Sequence, residues 1–251
     1  MTKQKINIFL LSLCVLYGCV AVNIPNDFVY HVSQEKTFDI VTWQKITNPD
    51  GVYKIYIEGD GHAFNAHGKP TNNPTPRGTL VREMAFGDKN ENVVYVARPC
   101  QYIQNRNCQK KYWTDARFSK SVIDDEYQTI KKIVGSQPVI LIGYSGGAQV
   151  AGLMATTKDI NVKKIITIAG NLDHLSWTKY HHLPPLESSL NLRDYQAEFE
   201  KFNQIHYVGK NDKVIPLSVS RKFLKNKNMH ITDAEHGSGW KNIYEMIRNE
   251  R

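Results

Sequence analysis

The pentapeptide Gly143-Tyr144-Ser145-Gly146-Gly147 constrains the fold of this chain more than any other segment. A short apolar run at residues 138–142 precedes it and is typical of a buried strand. A stretch dense in small residues, 148–155, follows it and indicates a helix. A strand, a sharp turn and a helix lift the Ser145 hydroxyl above the edge of a sheet, and the flanking glycines keep Cβ atoms out of the turn. The N-terminus of that helix presents free N–H groups toward negative charge.

Strand-like and helix-like segments alternate along most of the chain, which predicts an α/β fold with a mostly parallel sheet covered on both faces. We expect the first two strands to be antiparallel neighbours, because the turn at residues 48–51 is too short for a crossover. Residues 171–199 are rich in Trp, Tyr, His and Pro, and we interpret them as a cap-like excursion over the active-site edge. The predicted strands are 38–46, 52–58, 93–97, 138–142, 164–169, 203–208 and 229–232, and the predicted helices are 77–86, 116–134, 148–155, 216–224 and 240–247.

The first 18 residues have the pattern of a secretory signal. Lys3 and Lys5 precede an apolar run at residues 6–17, which is too short for a comfortable membrane span. Residues 16–19 resemble a bacterial lipobox, in which the cysteine, here Cys19, carries a lipid such as palmitate, although Tyr17 departs from the small residues usual there. We therefore predict an exported lipoprotein of the bacterial cell envelope, facing the periplasm or on the cell surface, that lies on a membrane. A cleaved signal without an anchor and an uncleaved tether are the alternatives.

The rest of the chain, residues 19–251, is long enough for one α/β domain with a large core. The formal net charge is +8 for the full chain and +6 without residues 1–18, which contain Lys3 and Lys5 and no acidic residue. The lysines near the C-terminus indicate a solvated face, and without aromatic interleaving or a recognised module we expect no nucleic-acid partner.

Of the four cysteines, Cys14 would leave with the signal and Cys19 would carry the lipid. Cys100 and Cys108 remain, and an even number of remaining cysteines in an exported protein favours a disulfide. A metal site is the weaker alternative, because no nearby Cys or His completes a set of four ligands. We expect no metal and no organic cofactor.

Ser145 needs a base to become a nucleophile, and such a base is usually a histidine oriented by a buried carboxylate. His236 follows the last predicted strand, and Asp212 follows the strand before it. All three residues fall at carboxyl ends of strands, where parallel sheets place their sites. Asp173, which follows the strand 164–169, is the alternative acid. His206 lies inside a strand and is expected to be a core or edge residue.

On these residues the chain resembles the α/β-hydrolase superfamily across nearly the whole mature sequence. The elbow at Ser145, the loop at Asp212 and the segment Glu235-His236-Gly237 carry the resemblance. It implies the α/β-hydrolase fold and a catalytic triad of Ser145, Asp212 and His236 in this chain order. Residues 98–102, 112–114 and 117–119 resemble those of bacterial exported members of the superfamily with no settled substrate.

An oxyanion hole needs two backbone N–H donors. In the nucleophile-elbow pattern, the first donor is the residue directly after the nucleophile, here Gly146. The second donor comes from the segment after an early strand, here residues 58–62. We favour the N–H of Asp60, with Gly61 next. Glu58 stands where the H-G-G-G form has histidine, which argues against lipase-like chemistry in particular.

These features predict hydrolysis of a carboxylic ester, a thioester or an amide through an acyl-enzyme. The partner would be a small-molecule or acyl substrate, in a pocket shaped by Trp177, Tyr180, His181 and His182 of the excursion. A peptidase or a hydrolase of an envelope polymer is one alternative. A non-catalytic envelope binding protein on the same fold is the other.

Overall fold

A central sheet of eight strands organises the protein, whose computed structural model describes residues 24–250. The strands lie in the order β1-β2-β4-β3-β5-β6-β7-β8. Six of them run parallel, from β4 across to β8, and β1 and β2 form an antiparallel edge. The predicted α/β fold with a mostly parallel sheet is therefore confirmed. The strands are β1 (Val29–Gln34), β2 (Asp39–Ile46), β3 (Tyr53–Ile57), β4 (Asn92–Val96), β5 (Val139–Tyr144), β6 (Val162–Ile168), β7 (Gln204–Gly209) and β8 (Met229–Thr232).

Helices cover both faces of the sheet and create one apolar core on each side. Helices α2, α3 and α6 pack on one face, and α1 and α7 pack on the other. Helix α2 begins at Lys120 rather than at 116, because Ser119 keeps an extended backbone as its N-cap. The helices are α1 (Leu80–Phe86), α2 (Lys120–Val134), α3 (Gly146–Thr157), α4 (His174–Tyr180), α5 (Gln196–Phe199), α6 (Leu217–Leu224) and α7 (Lys241–Arg248).

The prediction that the first two predicted strands, β2 and β3, are neighbours is wrong, because β4 lies between them. Asn92, the first residue of β4, binds the turn that connects β2 to β3. Its Nδ2 donates to the Asn48 carbonyl at 2.6 Å, and its Oδ1 accepts from the Asn48 N–H at 3.1 Å. The turn therefore passes across the beginning of β4 instead of closing a hairpin.

Strand β1 was not predicted from the sequence, because neither of its faces is buried. Five of its six residues are exposed, so its sequence lacks the alternation of apolar and polar residues that marks a half-buried strand. The strand exists through its antiparallel pairing with β2.

The predicted disulfide between Cys100 and Cys108 is confirmed, with Cα atoms 5.7 Å apart. The loop that it closes binds the β1–β2 edge, because the side-chain amides of Asn105 and Asn107 both donate to the Thr37 carbonyl. Across residues 24–250 no helix has the length and apolar character needed to cross a membrane. The predicted signal segment 1–18 and lipid attachment at Cys19 lie outside the described residues and stay predictions.

Candidate active site

Ser145 occupies the sharp turn between β5 and α3. Its backbone has φ 52° and ψ −119°, a left-handed conformation that L-residues adopt at a cost and that concentrates at functional sites. The glycines on either side provide room for this turn. A Cβ on Gly143 would lie 2.5 Å from the Ala148 Cα, and one on Gly147 would collide with the Ile57 carbonyl of β3. The strained turn is therefore held by close packing of α3 against the sheet.

A continuous chain of hydrogen bonds joins Ser145, His236 and Asp212. The Ser145 Oγ lies 3.0 Å from the His236 Nε2, and the His236 Nδ1 lies 2.8 Å from the Asp212 Oδ2. The Asp212 side chain is fully buried, whereas that of His236 is 20% exposed. Because the carboxylate accepts a hydrogen bond from Nδ1–H, Nε2 is left as an acceptor facing the serine hydroxyl. The structure thus brings together the three residues that the sequence selected.

Backbone groups fix the Asp212 carboxylate. Its Oδ1 accepts hydrogen bonds from the N–H groups of Val214 and Ile215, both at 2.8 Å. This leaves Oδ2 for His236. The carboxylate is therefore oriented by its own loop before any substrate binds.

The excursion at residues 171–199 is attached to the same loop. Trp177 Nε1 donates to the Val214 carbonyl at 2.7 Å, and His181 Nε2 lies 2.9 Å from that oxygen. Trp177 also lines the cleft above Ser145, as predicted. Within the part of the chain that the structure describes, Tyr180, His181 and His182 are not part of that lining, so their predicted place in the pocket is not seen.

Two further residues hold His236, and sequence analysis did not identify them. The Tyr144 hydroxyl and the Trp240 Nε1 both donate to the His236 carbonyl at 3.0 Å. The Tyr144 ring also lies 5.2 Å from the imidazole, centroid to centroid. Burial raises the pKa of the Tyr144 hydroxyl well above its usual range, so it stays a protonated donor. The position of Tyr144 in the pentapeptide, directly before Ser145, is the sequence feature that could have identified it.

Asp173 does not reach His236. It is the N-cap of α4, and its Oδ1 accepts from the N–H groups of Leu175 and Ser176 at 3.2 Å and from Asn191 Nδ2 at 2.9 Å. Its Oδ2 lies 3.5 Å from Arg193 Nη1, and the structure places Asp212 rather than Asp173 at the histidine. His206 is buried between Thr167 and Gln204, in line with its predicted core position.

The segment with the predicted second oxyanion donor lies directly over the elbow. A Cβ on Gly59 would sit 3.2 Å from the Ser145 Cβ, and a Cβ on Gly146 would collide with the Asp60 carboxylate. The side chain of Asp60 therefore lies against the backbone of Gly146, next to Ser145. Sequence analysis did not anticipate the side chain of Asp60, which forms ion pairs with Arg98 and Arg117.

Ser145 and His236 line a cleft with a volume of about 700 Å³. This volume lies within the range of about 300 to 1,000 Å³ that is typical of small-molecule sites. Asp60 and Arg117 contribute charged groups to the lining, and its aromatic side chains come from Phe64, Tyr144, Trp177 and Tyr244. Across residues 24–250 no group of three or more His, Cys, Asp or Glu side chains is arranged to hold a metal ion.

Glu58, at the end of β3, is a buried carboxyl beside this cleft. Burial raises its pKa from the ordinary value of 4.5 to about 7, although hydrogen bonds from the Gly59 N–H and the Tyr95 hydroxyl, both 2.8 Å, act in the opposite direction. The Tyr95 hydroxyl lies 3.1 Å from that of Tyr102, which extends the network away from the cleft. Glu58 therefore anchors the first residue of the segment over the elbow.

We expect Glu58→Gln to change how stability depends on pH. A carboxyl whose pKa is raised on folding stabilises the native state below its unfolded pKa, and this contribution is lost as the pH rises through the folded value of about 7. From pH 5 to pH 8 the wild type should lose about 2 to 3 kcal/mol more than the variant. Urea unfolding of both proteins at several pH values measures this difference. Parallel pH profiles would contradict a titrating Glu58.

No family model matches this chain, and no curated protein is similar to it. Solved structures do share its fold. A serine hydrolase from the polyaromatic-hydrocarbon-degrading bacterium Cycloclasticus zankles is 12% identical with a TM-score of 0.56, and the match covers 88% of this chain and 96% of that one. A lipase-esterase related protein from Clostridium acetobutylicum is 13% identical with a TM-score of 0.56, covering 89% and 99%. An acylaminoacyl peptidase from Pyrococcus horikoshii is 13% identical with a TM-score of 0.55, covering 88% of this chain and 40% of that one.

Proposed function

The chain has the α/β-hydrolase fold, and from this premise we propose that it is a serine hydrolase acting through an acyl-enzyme. The observation that carries the proposal is the hydrogen-bonded chain from Ser145 through His236 to Asp212. Such a chain lets a hydroxyl attack a carbonyl at neutral pH. A binding protein has no physical need for a strained serine aligned with a histidine and a buried carboxylate.

In the first half of the reaction the Ser145 Oγ attacks the substrate carbonyl, and its proton passes to His236 Nε2. The buried Asp212 carboxylate stabilises the imidazolium that forms. The tetrahedral intermediate bears a negative oxygen, which the N–H groups of Gly146 and Asp60 stabilise. The intermediate then collapses, and His236 returns the proton to the leaving alcohol, thiol or amine.

In the second half a water molecule replaces the leaving group. His236 takes a proton from this water as it attacks the acyl-enzyme, and a second tetrahedral intermediate forms in the same oxyanion hole. Its collapse releases the carboxylic acid and returns the proton to Ser145. The cycle regenerates the enzyme and consumes one water, using only residues of this chain.

A small carboxylic ester is the substrate that we propose first. The cleft of about 700 Å³ has the volume of a small-molecule site, and its aromatic lining suits an acyl chain or an apolar alcohol. Thioesters and amides share the same carbonyl chemistry. A panel of esters, thioesters, amides, peptides and cell-wall fragments would rank these classes by kcat/KM.

We expect a serine-directed fluorophosphonate to label the purified protein at Ser145. The phosphonyl group reacts with a serine only when a base activates its hydroxyl, so His236→Ala should abolish labelling while the protein remains folded. The measurement is mass-spectrometric mapping of the modified residue. His31→Ala, which changes an exposed histidine on β1, is the matched control and should label like the wild type. A folded wild-type protein that resists labelling would contradict the proposed function.

A further inference from the structure

A negatively charged side chain, that of Asp60, lies beside the proposed oxyanion hole. The Asp60 carboxylate lies against the backbone of Gly146, close enough that a Cβ on that glycine would collide with it. Asp60 and Gly146 are also the two residues whose N–H groups we propose as oxyanion donors. A negative charge beside this position opposes the negative oxygen of the transition state, most strongly in a cleft with little water.

Two arginines form ion pairs with the Asp60 carboxylate. Arg117 Nη1 lies 2.6 Å from Oδ2, and Arg98 Nη1 lies 3.3 Å from Oδ1. The arginine side chains are only 6% and 5% exposed, so both are shielded from water, whereas the Asp60 side chain is 19% exposed. Opposite charges placed this way cancel much of each other's field at a nearby point.

Arg98 contacts two carboxyl groups, those of Asp60 and Glu126. Its Nε donates to Glu126 of α2 at 2.7 Å, a closer contact than the one to Asp60. Its Nη2 donates to the Arg117 carbonyl, so Arg98 also holds the backbone of its neighbour in the network. The main counter-charge to Asp60 is therefore Arg117.

Arg117 is held rigidly in the wall of the cleft. Its Nε donates to the Thr114 carbonyl at 2.6 Å. The rings of Phe64 and Trp177 lie 5.6 Å from its guanidinium carbon, at distances typical of cation–π contacts. A guanidinium fixed in this way holds its partner carboxylate, and with it the backbone of residue 60, in one position.

We propose that Arg117 is a positioning residue for the oxyanion hole, one that orients Asp60 and neutralises its carboxylate. It acts through Asp60, and its effect is felt where charge develops in the transition state. The inference rests on the proposed serine hydrolase function. Because the ground-state substrate carbonyl carries no full charge, loss of Arg117 affects kcat more than KM.

The test is a cycle of variants assayed with a short-chain ester. Arg117→Gln should lower kcat by about 10²-fold, comparable to the loss of one oxyanion donor, with KM changed by less than about threefold. Adding Asp60→Asn to Arg117→Gln should restore kcat at least about tenfold, because it removes the uncompensated charge. Arg221→Gln, an exposed position on α6, controls for the change in net charge and should match the wild type.

If Arg117 had a purely structural role, adding Asp60→Asn would not restore kcat. In that case the double variant is no more active than Arg117→Gln, and this result overturns the inference. Arg117→Lys, which keeps the charge, should stay within about tenfold of the wild-type kcat, and a loss as large as that of a folded Arg117→Gln also overturns it. If Arg117→Gln does not fold, as judged by circular dichroism, the Lys variant alone decides. A wild type without activity refutes the proposed function, whereas an active wild type with an equally active Arg117→Gln refutes only this inference.

Discussion

Replacing Ser145 with alanine is expected to reduce kcat for an ester by roughly 10⁶-fold and to leave the fold unchanged. The variant lacks only the Oγ atom, which is the group that would form the proposed acyl-enzyme. Alanine has the same Cβ as serine, so the left-handed backbone at this position is no more strained than before. The measurement is the kcat of the purified variant on a chromogenic short-chain ester, together with its melting temperature.

Ser218→Ala is the matched control for this experiment. Ser218 is exposed on α6, and its replacement should leave both kcat and melting temperature at wild-type values. Turnover that persists in folded Ser145→Ala, above what the control reveals as contamination, would show that another group is the nucleophile.

The second large effect is expected from Asp212→Asn, which should lower kcat by about 10³- to 10⁴-fold. The backbone N–H groups of Val214 and Ile215 would still bind the side-chain oxygen, so the amide nitrogen would face His236. That nitrogen donates to Nδ1 and forces the imidazole proton onto Nε2. The histidine then cannot accept the proton of Ser145, and the imidazolium loses its carboxylate.

Asp173→Asn makes the same chemical change at the competing acid. Asparagine is as good a helix N-cap as aspartate, so α4 should remain intact and kcat should stay within about threefold of the wild type. Assays of both variants across pH 6 to 9 compare the two positions directly. A large loss in Asp173→Asn, with Asp212→Asn nearly unaffected, would reverse the assignment of the acid.

The candidate triad could be selected from sequence because each member has a local signature. Ser145 stands between an apolar run and a stretch of small residues, and Asp212 and His236 follow β-branched or apolar strands in the expected chain order. Strands of a parallel sheet present their carboxyl ends at one edge, so three separate local patterns converge on one site.

The choice between Asp212 and Asp173 needed the structure, since both follow strands. One local signal was available, because an aspartate directly before a helical segment is a typical N-cap, and α4 begins at residue 174. Recognising that helix inside an irregular excursion was beyond the reach of periodicity, since α4 has only seven residues.

Features that depend on a distant contact between residues without a local signature could not be predicted. The ion pair between Asp60 and Arg117 joins residues 57 positions apart, and the bond from Tyr144 to His236 joins residues 92 apart. The place of β4 between β2 and β3 likewise depends on Asn92 binding a turn more than 40 residues earlier. Local propensity carries no information about which partner a buried charge or a polar strand end will find.

The peptide unit between Val214 and Ile215 has a consequence for protein engineering. Its carbonyl accepts hydrogen bonds from Trp177 and His181 of the excursion, while its N–H donates to Asp212. Grafting a different cap onto this protein would therefore disturb the candidate triad acid as well as the cleft beside Ser145. Libraries that aim to change specificity should keep Trp177 and His181 fixed and vary Phe64, Leu80 and Tyr244 around the cleft instead.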